Sequence, residues 1–297
     1  MKGYGYFGMT FFCLSVFMGS TGAQLQMGFY SSSCPNAEKI GCDASVLLNT
    51  TSSSNQTEKL AAPNLTLRGF DFIEKVKSLL EAACPAVVSC ADIVALVARD
   101  AVVATGGPFW RVPTGRRDGT ISRSSEALSN IPPPTSNFTN LQTLFANQGL
   151  DLKDLVLLSG AHTIGISHCS SFTTRLYNFT GVGDQDPALD SEYAANLKAR
   201  KCRSLNDNTT IVEMDPGSFR TFDLSYYSLL LKRRGLFQSD SALTTNSATL
   251  SFVKQLLNGS LQNFFAEFAN SMEKMGRINV KTGTTGEIRK HCAVVNS

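Results

Sequence analysis

The sequence predicts a mainly α-helical globular protein, arranged as one large domain or as two closely packed lobes. Its 297 residues are enough to bury a shared hydrophobic core. With 42% hydrophobic and 17% charged residues, the composition is that of a folded chain. Several stretches repeat apolar residues at the 3.6-residue spacing of a helix, whereas the two-residue alternation of a strand is rare.

Six stretches carry this helical pattern. The clearest are residues 69–83 and 89–105, and a Gly-Gly-Pro sequence at 106–108 marks the end of the second. Three prolines at 132–134 predict an extended break between helices. The other predicted helices cover residues 138–148, 151–169, 226–234 and 247–275.

Residues 1–23 have the features of a secretory signal peptide. Lys2 provides a basic start, residues 7–18 form an apolar centre, and small residues up to Ala23 form a cleavage region. The alternative is a membrane anchor, but the apolar run is short for a span and no second run of spanning length follows. We therefore expect residues 1–23 to be removed and residues 24–297 to form one folded domain.

Seven Asn-x-Ser/Thr sequons agree with secretion and predict that several asparagines carry glycans. They are Asn49, Asn55, Asn64, Asn137, Asn178, Asn208 and Asn258. The formal net charge of +3 falls by one when Lys2 leaves with the signal. This charge is too small to indicate nucleic acid as a partner, although it allows unspecific attraction to acidic cell-wall polysaccharide.

The cysteine content predicts disulfide bonds. Of the eight cysteines, Cys13 would leave with the signal, and the remaining odd number leaves at least one thiol without an intramolecular partner. No Cys-x-x-Cys pair occurs, which argues against a zinc ribbon or a thioredoxin-type site. The oxidising secretory route favours disulfides instead.

One of the three histidines, His162, lies in the sequence Ser-Gly-Ala-His-Thr-Ile-Gly at 159–165. We interpret its small neighbours as room for a flat, bulky group, with the imidazole as the axial ligand of a haem. A lone helical histidine is otherwise a satisfied core residue. His168 would lie about 240° from His162 on a continuous helix, away from that group, and we interpret it and His291 as structural.

A series of motifs in a fixed order resembles the secretory plant (class III) haem peroxidases over nearly the whole expected mature chain. The motifs include Ser33-Cys34-Pro35, Gly41-Cys42-Asp43-Ala44-Ser45, Arg68-Gly69-Phe70, Val88-Ser89-Cys90-Ala91-Asp92, the His162 motif, and Gly235-Leu236-Phe237-Gln238-Ser239-Asp240. The resemblance implies two mainly helical lobes, distal and proximal, with haem b between them. It also implies a secreted, monomeric enzyme of the cell wall, extracellular space or vacuole that oxidises phenolic donors with hydrogen peroxide.

The resemblance assigns roles to residues on both sides of the haem. His162 would bind the iron, Asp240 would accept its other ring N–H, and the carbonyl of Pro132 would contact aromatic donors, although a proline here also suits a loop. Two calcium sites are implied, whose oxygen ligands could instead be helix caps and turns. The proximal set is Thr163, Asp215, Ser218, Thr221 (carbonyl) and Asp223; the distal set keeps Gly41 (carbonyl), Asp43 and Ser45, with Glu58 in support.

One departure from the family pattern lies between Ile40 and Gly41. The family has a distal helix there, with an arginine, a histidine, a calcium-binding aspartate and a cysteine, and this chain has none of them. Peroxide cleavage needs a distal base to move a proton and a cation to stabilise the developing charge. The sequence therefore predicts no catalytic distal residue, slow peroxide reduction and a weak or lost distal calcium site.

Three hypotheses follow from this departure. The chain is a secreted haem peroxidase, a non-catalytic relative that binds haem or calcium, or a truncated product of splicing or of a faulty gene model. The resemblance further implies disulfides Cys34–Cys84, Cys90–Cys292 and Cys169–Cys202. It leaves Cys42 free, because its partner belongs to the missing helix, and a free Cys42 would allow dimers.

Overall fold

A computed structural model describes residues 43–50 and 56–297, together with Leu25. These residues form a mainly helical fold, as predicted, and none of their helices is long and apolar enough to cross a membrane. The expected signal peptide, Ile40, Gly41, Cys34 and Cys42 lie outside the described residues. The helices are α1 Phe70–Ala83, α2 Cys90–Ala104, α3 Ser124–Asn130, α4 Phe138–Asn147, α5 Leu152–Ser159, α6 Thr173–Tyr177, α7 Ser191–Arg200, α8 Ser225–Leu231, α9 Gln238–Ala242, α10 Ser247–Asn258 and α11 Leu261–Met275.

A small antiparallel sheet joins two short strands, β1 Ile166–His168 and β2 Ile211–Glu213. Its presence makes the predicted helix over 151–169 wrong in its second half. The helix α5 ends at Ser159, a short 3-10 helix covers Gly160–Thr163, and the chain then turns at Gly165, whose φ is +97°. The pairing with β2 is a contact distant in sequence, so local helical spacing could not predict it.

Two other predicted helices end differently. The stretch over 247–275 is two helices, because α10 ends at Asn258 and the side chain of Ser260 caps the start of α11 by accepting from the Asn263 N–H. The stretch over 226–234 ends at Leu231, and Arg233 then takes a left-handed conformation with φ at +57°.

The largest apolar core surrounds α5. Leu155, Val156 and Leu157 are buried there against α4, α8, α10 and α11, with Phe264 and Phe268 of α11 filling the centre. Burying each such side chain contributes about 1.5–3 kcal/mol. This packing fixes α5 on several sides, and α5 leads directly into the 3-10 helix that carries His162.

The start of α5 is fixed as well as its faces. Asp151 and Asp154 form a capping box, in which each side chain accepts from the backbone N–H of the other. Asp154 also accepts from the hydroxyl of Ser271 at 2.8 Å and from the ammonium of Lys274, both on α11. These contacts therefore prevent α5, the helix before His162, from sliding along its axis or rotating about it.

Two further cores lie on either side of this one. One packs α1 against α2 around Ile73, Val88 and Ile93, and the disulfide Cys90–Cys292 ties the C-terminal segment to it. The other packs α6 and α7 under the small sheet, where the disulfide Cys169–Cys202 is buried.

Candidate haem site and calcium sites

His162 and Asp240 form a hydrogen-bonded pair, with 2.8 Å between Nδ1 and Oδ1. Asp240 is buried, and its Oδ2 accepts the backbone N–H of Phe237 at 2.8 Å. Burial raises the pKa of Asp240, but the charge and hydrogen bond of His162 outweigh it, so the pKa is lowered overall. Because the carboxylate engages Nδ1, Nε2 is the nitrogen of His162 left to bind a ligand.

The His162 side chain is 36% exposed and lines a cavity of about 830 Å³. This volume lies within the range of about 300–1,000 Å³ that is usual for small-molecule and cofactor sites. The cavity, which we call the His162 cavity, is also lined by the three prolines at 132–134 and by Phe237. A histidine with one ring nitrogen fixed by a carboxylate, in an apolar cavity of this size, fits a haem.

Contacts and backbone geometry within the protein also account for small residues beside His162. A Cβ added to Gly160 would meet the hydroxyl of Tyr227, so Gly160 is small because the tyrosine packs there. Gly165 has open space where a Cβ would point and is required by its positive φ. Buried Thr163 donates to Asp223. These three positions therefore serve the proximal packing and the turn.

His168 was wrongly predicted to point away from the His162 side. The helix ends before it, so the angle expected on a continuous helix does not apply, and His168 and His162 line the same cavity. The Nδ1 atom of His168 is buried with no hydrogen-bond partner in the described part of the chain. Exposed Arg68 also lines this cavity. His291 is exposed and bonds Glu74 at 3.0 Å, as a structural histidine does.

A second cavity of about 630 Å³ adjoins the first, since Leu67, Ile131 and Pro132 line both. Asn64 lines the second cavity and its amide donates to the Glu58 carbonyl at 2.9 Å. None of the described residues that line this second cavity is a histidine or an arginine. Its described walls carry carboxylates and the ammonium of Lys281, but no imidazole to move the peroxide proton and no guanidinium to stabilise the developing charge.

The predicted distal calcium ligands Asp43 and Ser45 also line the second cavity. The hydroxyl of Ser45 lies 2.7 Å from Asp43 Oδ1 and 2.9 Å from Glu58 Oε1. Lys281 lies 3.4 Å from Asp43 Oδ2 and supplies a positive charge to the group. Gly41 is outside the described residues, so only part of this set can be placed.

The predicted proximal calcium ligands lie together. Thr163 Oγ1 is 3.4 Å from Asp215 Oδ2, 3.5 Å from the Thr221 carbonyl oxygen and 3.1 Å from Asp223 Oδ1, and Ser218 Oγ is 3.1 Å from Asp223 Oδ2. Burial and the nearby Asp223 raise the pKa of Asp215 to about 6. The described residues hold no group of three or more His, Cys, Asp or Glu side chains suited to a metal. This set has two carboxylates with hydroxyl and carbonyl oxygens, which is a donor set that suits calcium.

Two of the three expected disulfides are present, Cys90–Cys292 and Cys169–Cys202. Cys84 is also disulfide-bonded. Its expected partner Cys34 lies outside the described residues, so that pairing stays a prediction, as does a free Cys42.

Sequence reasoning missed one neighbour of the His162–Asp240 pair. The hydroxyl of buried Tyr226 donates to Asp240 Oδ1 at 2.9 Å, and its ring meets the His162 ring edge-on. The Tyr226-Tyr227 pair reads as part of an apolar helix face. Nothing in the local pattern indicates that the first hydroxyl reaches a carboxylate in a later helix.

A mainly helical domain in which a carboxylate-bonded histidine faces a large apolar cavity fits the class of haem proteins. A family model described as Peroxidase matches residues 18–259. The chain is 66% identical to Peroxidase 3 of Arabidopsis thaliana, with 97% of each chain covered, and 65% identical to Peroxidase 39 of the same plant, with 92% and 93% covered. It is 52% identical to Peroxidase 1 of Oryza sativa subsp. japonica, with 93% and 94% covered.

The chain therefore belongs to the peroxidase family, in its secretory plant (class III) branch, whose members are oxidoreductases that act on hydrogen peroxide. The alignment with Peroxidase 3 runs over 319 positions, more than the 297 residues of this chain. That relative therefore carries residues that have no counterpart here.

Proposed function

We propose that this chain is a secreted haem b peroxidase of phenolic donors whose own turnover is low. The observation that carries the proposal is the contrast between the two cavities. The His162 cavity has a histidine backed by a buried carboxylate, whereas the described walls of the adjoining cavity hold no histidine or arginine. This contrast supports a proximal haem ligand in this chain and the loss of the distal catalytic pair.

When bound, the haem supplies the iron at which peroxide is reduced. His162 would hold that iron through Nε2, and Asp240 would keep the Nδ1 proton in place and strengthen the imidazole as a donor. Pro132, which lies where the two cavities meet, would contact the aromatic donor through its carbonyl. Moving the peroxide proton would fall to water, because no described side chain of the second cavity offers an imidazole for it.

Calcium is the second proposed cofactor, at the proximal set of Thr163, Asp215, Ser218, Thr221 and Asp223. A cation among these oxygens would offset the repulsion between Asp215 and Asp223, which contributes to the raised pKa of Asp215. The distal group of Gly41, Asp43 and Ser45 is proposed to bind calcium weakly or not at all. Lys281 beside Asp43 supports this, because it already balances part of the negative charge there.

The second candidate is a truncated product of a locus that encodes an intact peroxidase. The observation that favours it is the alignment with Peroxidase 3, which has more positions than this chain has residues. We place the gap between Ile40 and Gly41, where the family motifs on either side are undisturbed. Sequencing the genomic DNA at this junction tests it: an in-frame segment encoding the arginine, histidine and cysteine supports truncation, and a continuous exon without them rejects it.

The decisive test of function is the rate of reaction with hydrogen peroxide, followed by stopped-flow absorbance on haem-loaded protein of confirmed mass. We expect a rate about 10³-fold or more below that of an intact relative, since both proton transfer and charge stabilisation lose their side chains. Peroxidase 3 measured in parallel is the control. A rate like that of Peroxidase 3 would contradict the proposal and direct attention to His168 and Arg68, which line the His162 cavity. Loss of such a rate in His168→Ala or Arg68→Ala would identify the group.

Secretion, glycosylation and association with the cell wall or vacuole complete the proposal. They rest on the sequence features of residues 1–23, on the seven sequons and on the weak positive charge. Phenolic donors and hydrogen peroxide are the proposed small-molecule partners, with acidic wall polysaccharide as an unspecific one. The expected state is a monomer, with a dimer through Cys42 as the alternative.

A further inference from the structure

We propose that Tyr226 is a positioning residue for His162. The Tyr226 hydroxyl donates to the same Asp240 oxygen as His162 Nδ1, and this weakens the hydrogen bond between Asp240 and the Nδ1 proton. The proposal rests on the proposed role of His162 as the haem ligand. In this proposal the Tyr226 hydroxyl sets how strongly His162 donates electrons to the iron.

The contacts converge on one atom. Asp240 Oδ1 lies 2.8 Å from His162 Nδ1 and 2.9 Å from the Tyr226 hydroxyl oxygen, whereas Oδ2 accepts from the backbone of Phe237. Tyr226 is buried, and its pKa lies well above the usual value, mainly because of this burial. The hydroxyl therefore keeps its proton and acts as the donor. His162 therefore shares its acceptor with a second, permanent donor.

Sharing an acceptor weakens each of its hydrogen bonds. Two N–H or O–H donors on one carboxylate oxygen share its negative charge, so each hydrogen bond is weaker than it would be alone. In a buried site no water molecule compensates for this weakening. The imidazole of His162 therefore gains less anionic character than an unshared carboxylate would give it. An axial histidine with less anionic character is a weaker donor to iron, so Tyr226 lowers the donor strength that Asp240 raises.

The Tyr226 ring contacts His162 independently of the hydroxyl. It meets the His162 ring edge-on with 5.7 Å between centroids, and Phe237 does the same at 5.3 Å. These two aromatic rings hold the imidazole plane. Tyr226→Phe keeps this ring contact and removes only the hydroxyl, so the two tasks can be tested apart.

The chain offers a matched control in Tyr227. It is adjacent, equally buried, and its hydroxyl donates at 2.9 Å to the backbone carbonyl of Val156 and not to Asp240. Tyr227→Phe thus loses one buried hydrogen bond of the same length, and a general loss of rigidity would appear in both variants. Only an effect through Asp240 would appear in Tyr226→Phe alone.

The experiment compares the full-length wild type, Tyr226→Phe and Tyr227→Phe by two readouts. The first is the NMR shift of the His162 Nδ1 proton in the haem-free chain, and the second is the iron–histidine stretching frequency of the reduced, haem-loaded chain. We expect the proton to move downfield and the frequency to rise in Tyr226→Phe, with Tyr227→Phe at the wild-type values. Equal values in both phenylalanine variants, or shifts in the opposite direction, would overturn the proposal.

Two further arms keep the result interpretable. If Tyr226→Phe does not fold, 3-fluorotyrosine at position 226 makes the hydroxyl a stronger donor and should shift both readouts in the opposite direction; unchanged readouts reject the proposal. His162→Ala tests the role on which the inference depends. If the haem spectrum of that variant equals that of the wild type, the proposed ligand is wrong, whereas the haem-free proton shift still decides whether Tyr226 and His162 share Asp240.

Discussion

At the scale of single residues, the candidate site depends on what surrounds one carboxylate. Asp240 accepts from His162, Tyr226 and the backbone of Phe237, and it is buried. A buried carboxylate with several donors stays ionised and holds its partners in fixed positions. The histidine is thus oriented before any ligand arrives, which lowers the entropy lost on haem binding.

We expect His162→Ala to lose the axial ligation of haem and to bind it more weakly. The imidazole lies in the His162 cavity and is oriented by a hydrogen bond to the buried carboxylate of Asp240, so its removal takes away the proposed protein ligand of the iron. Haem titration followed by absorbance measures both effects. His291→Ala, which changes an exposed histidine paired with Glu74, is the control. Unchanged affinity and spectrum in His162→Ala would rule out the assignment.

At the scale of elements, the short helix α5 has most of the positioning task. Its apolar side chains are buried in the largest core, and its first turn is capped by Asp151 and Asp154. Burial raises the pKa of Asp154, but its bonds with Lys274, the Asp151 backbone and Ser271 outweigh this and lower the pKa overall. A lowered pKa means that the folded state favours the ionised carboxylate, so Asp154 stabilises the fold when ionised.

We expect Asp154→Ala to lower the free energy of unfolding by about 1–3 kcal/mol at neutral pH, since it removes a helix cap and a partly buried ionic bond. The loss should shrink as pH falls through the lowered pKa of Asp154, where the wild-type carboxylate also becomes protonated. Urea unfolding at several pH values measures both. The control is Glu126→Ala, which removes an exposed acid in the first turn of α3 that pairs with Arg123. This variant should change the free energy of unfolding by about 0–1 kcal/mol. Equal losses in both variants would contradict the role of Asp154.

At the scale of the whole molecule, distant parts of the chain are tied together around the cavities. The disulfide Cys90–Cys292 joins residues 202 apart in sequence, and buried Arg289 donates to the Ala44 carbonyl at 2.7 Å. The C-terminal segment thus holds the region that lines the second cavity. A covalent link and a buried cation thus fix the described residues around that cavity.

We expect disulfide mapping of the full chain to find Cys34–Cys84 beside the two disulfides of the described residues, with Cys42 alkylated as a free thiol. The reason is the odd number of cysteines left after Cys13, together with the absent family partner of Cys42. Mass spectrometry of peptides alkylated before reduction gives the answer, and Cys90–Cys292 serves as the internal control. A bond from Cys42 to another cysteine of the same chain would refute the pairing.

The sequence by itself determined the mainly helical class and the family, since apolar spacing is local and the motifs are contiguous. The sequence also predicted that His162 and Asp240 form a pair. Because the two residues are 78 apart, this prediction came from the family motifs and not from residue spacing. The same local patterns predicted helix starts at residues 69, 89 and 138, and the helices begin within one residue of these, at Phe70, Cys90 and Phe138. The resemblance likewise gave the two disulfides that the described residues contain.

The tertiary structure alone decided where α5 ends, that His168 shares the His162 cavity, why Gly160 is small and that Tyr226 reaches Asp240. Each of these depends on a contact between segments distant in sequence: β1 with β2, or α8 with α9 and α5. Such contacts are fixed by the packing of whole elements and by buried polar groups that must find partners. A local pattern contains no information on which distant segment supplies the partner, so these features emerged only from the folded chain.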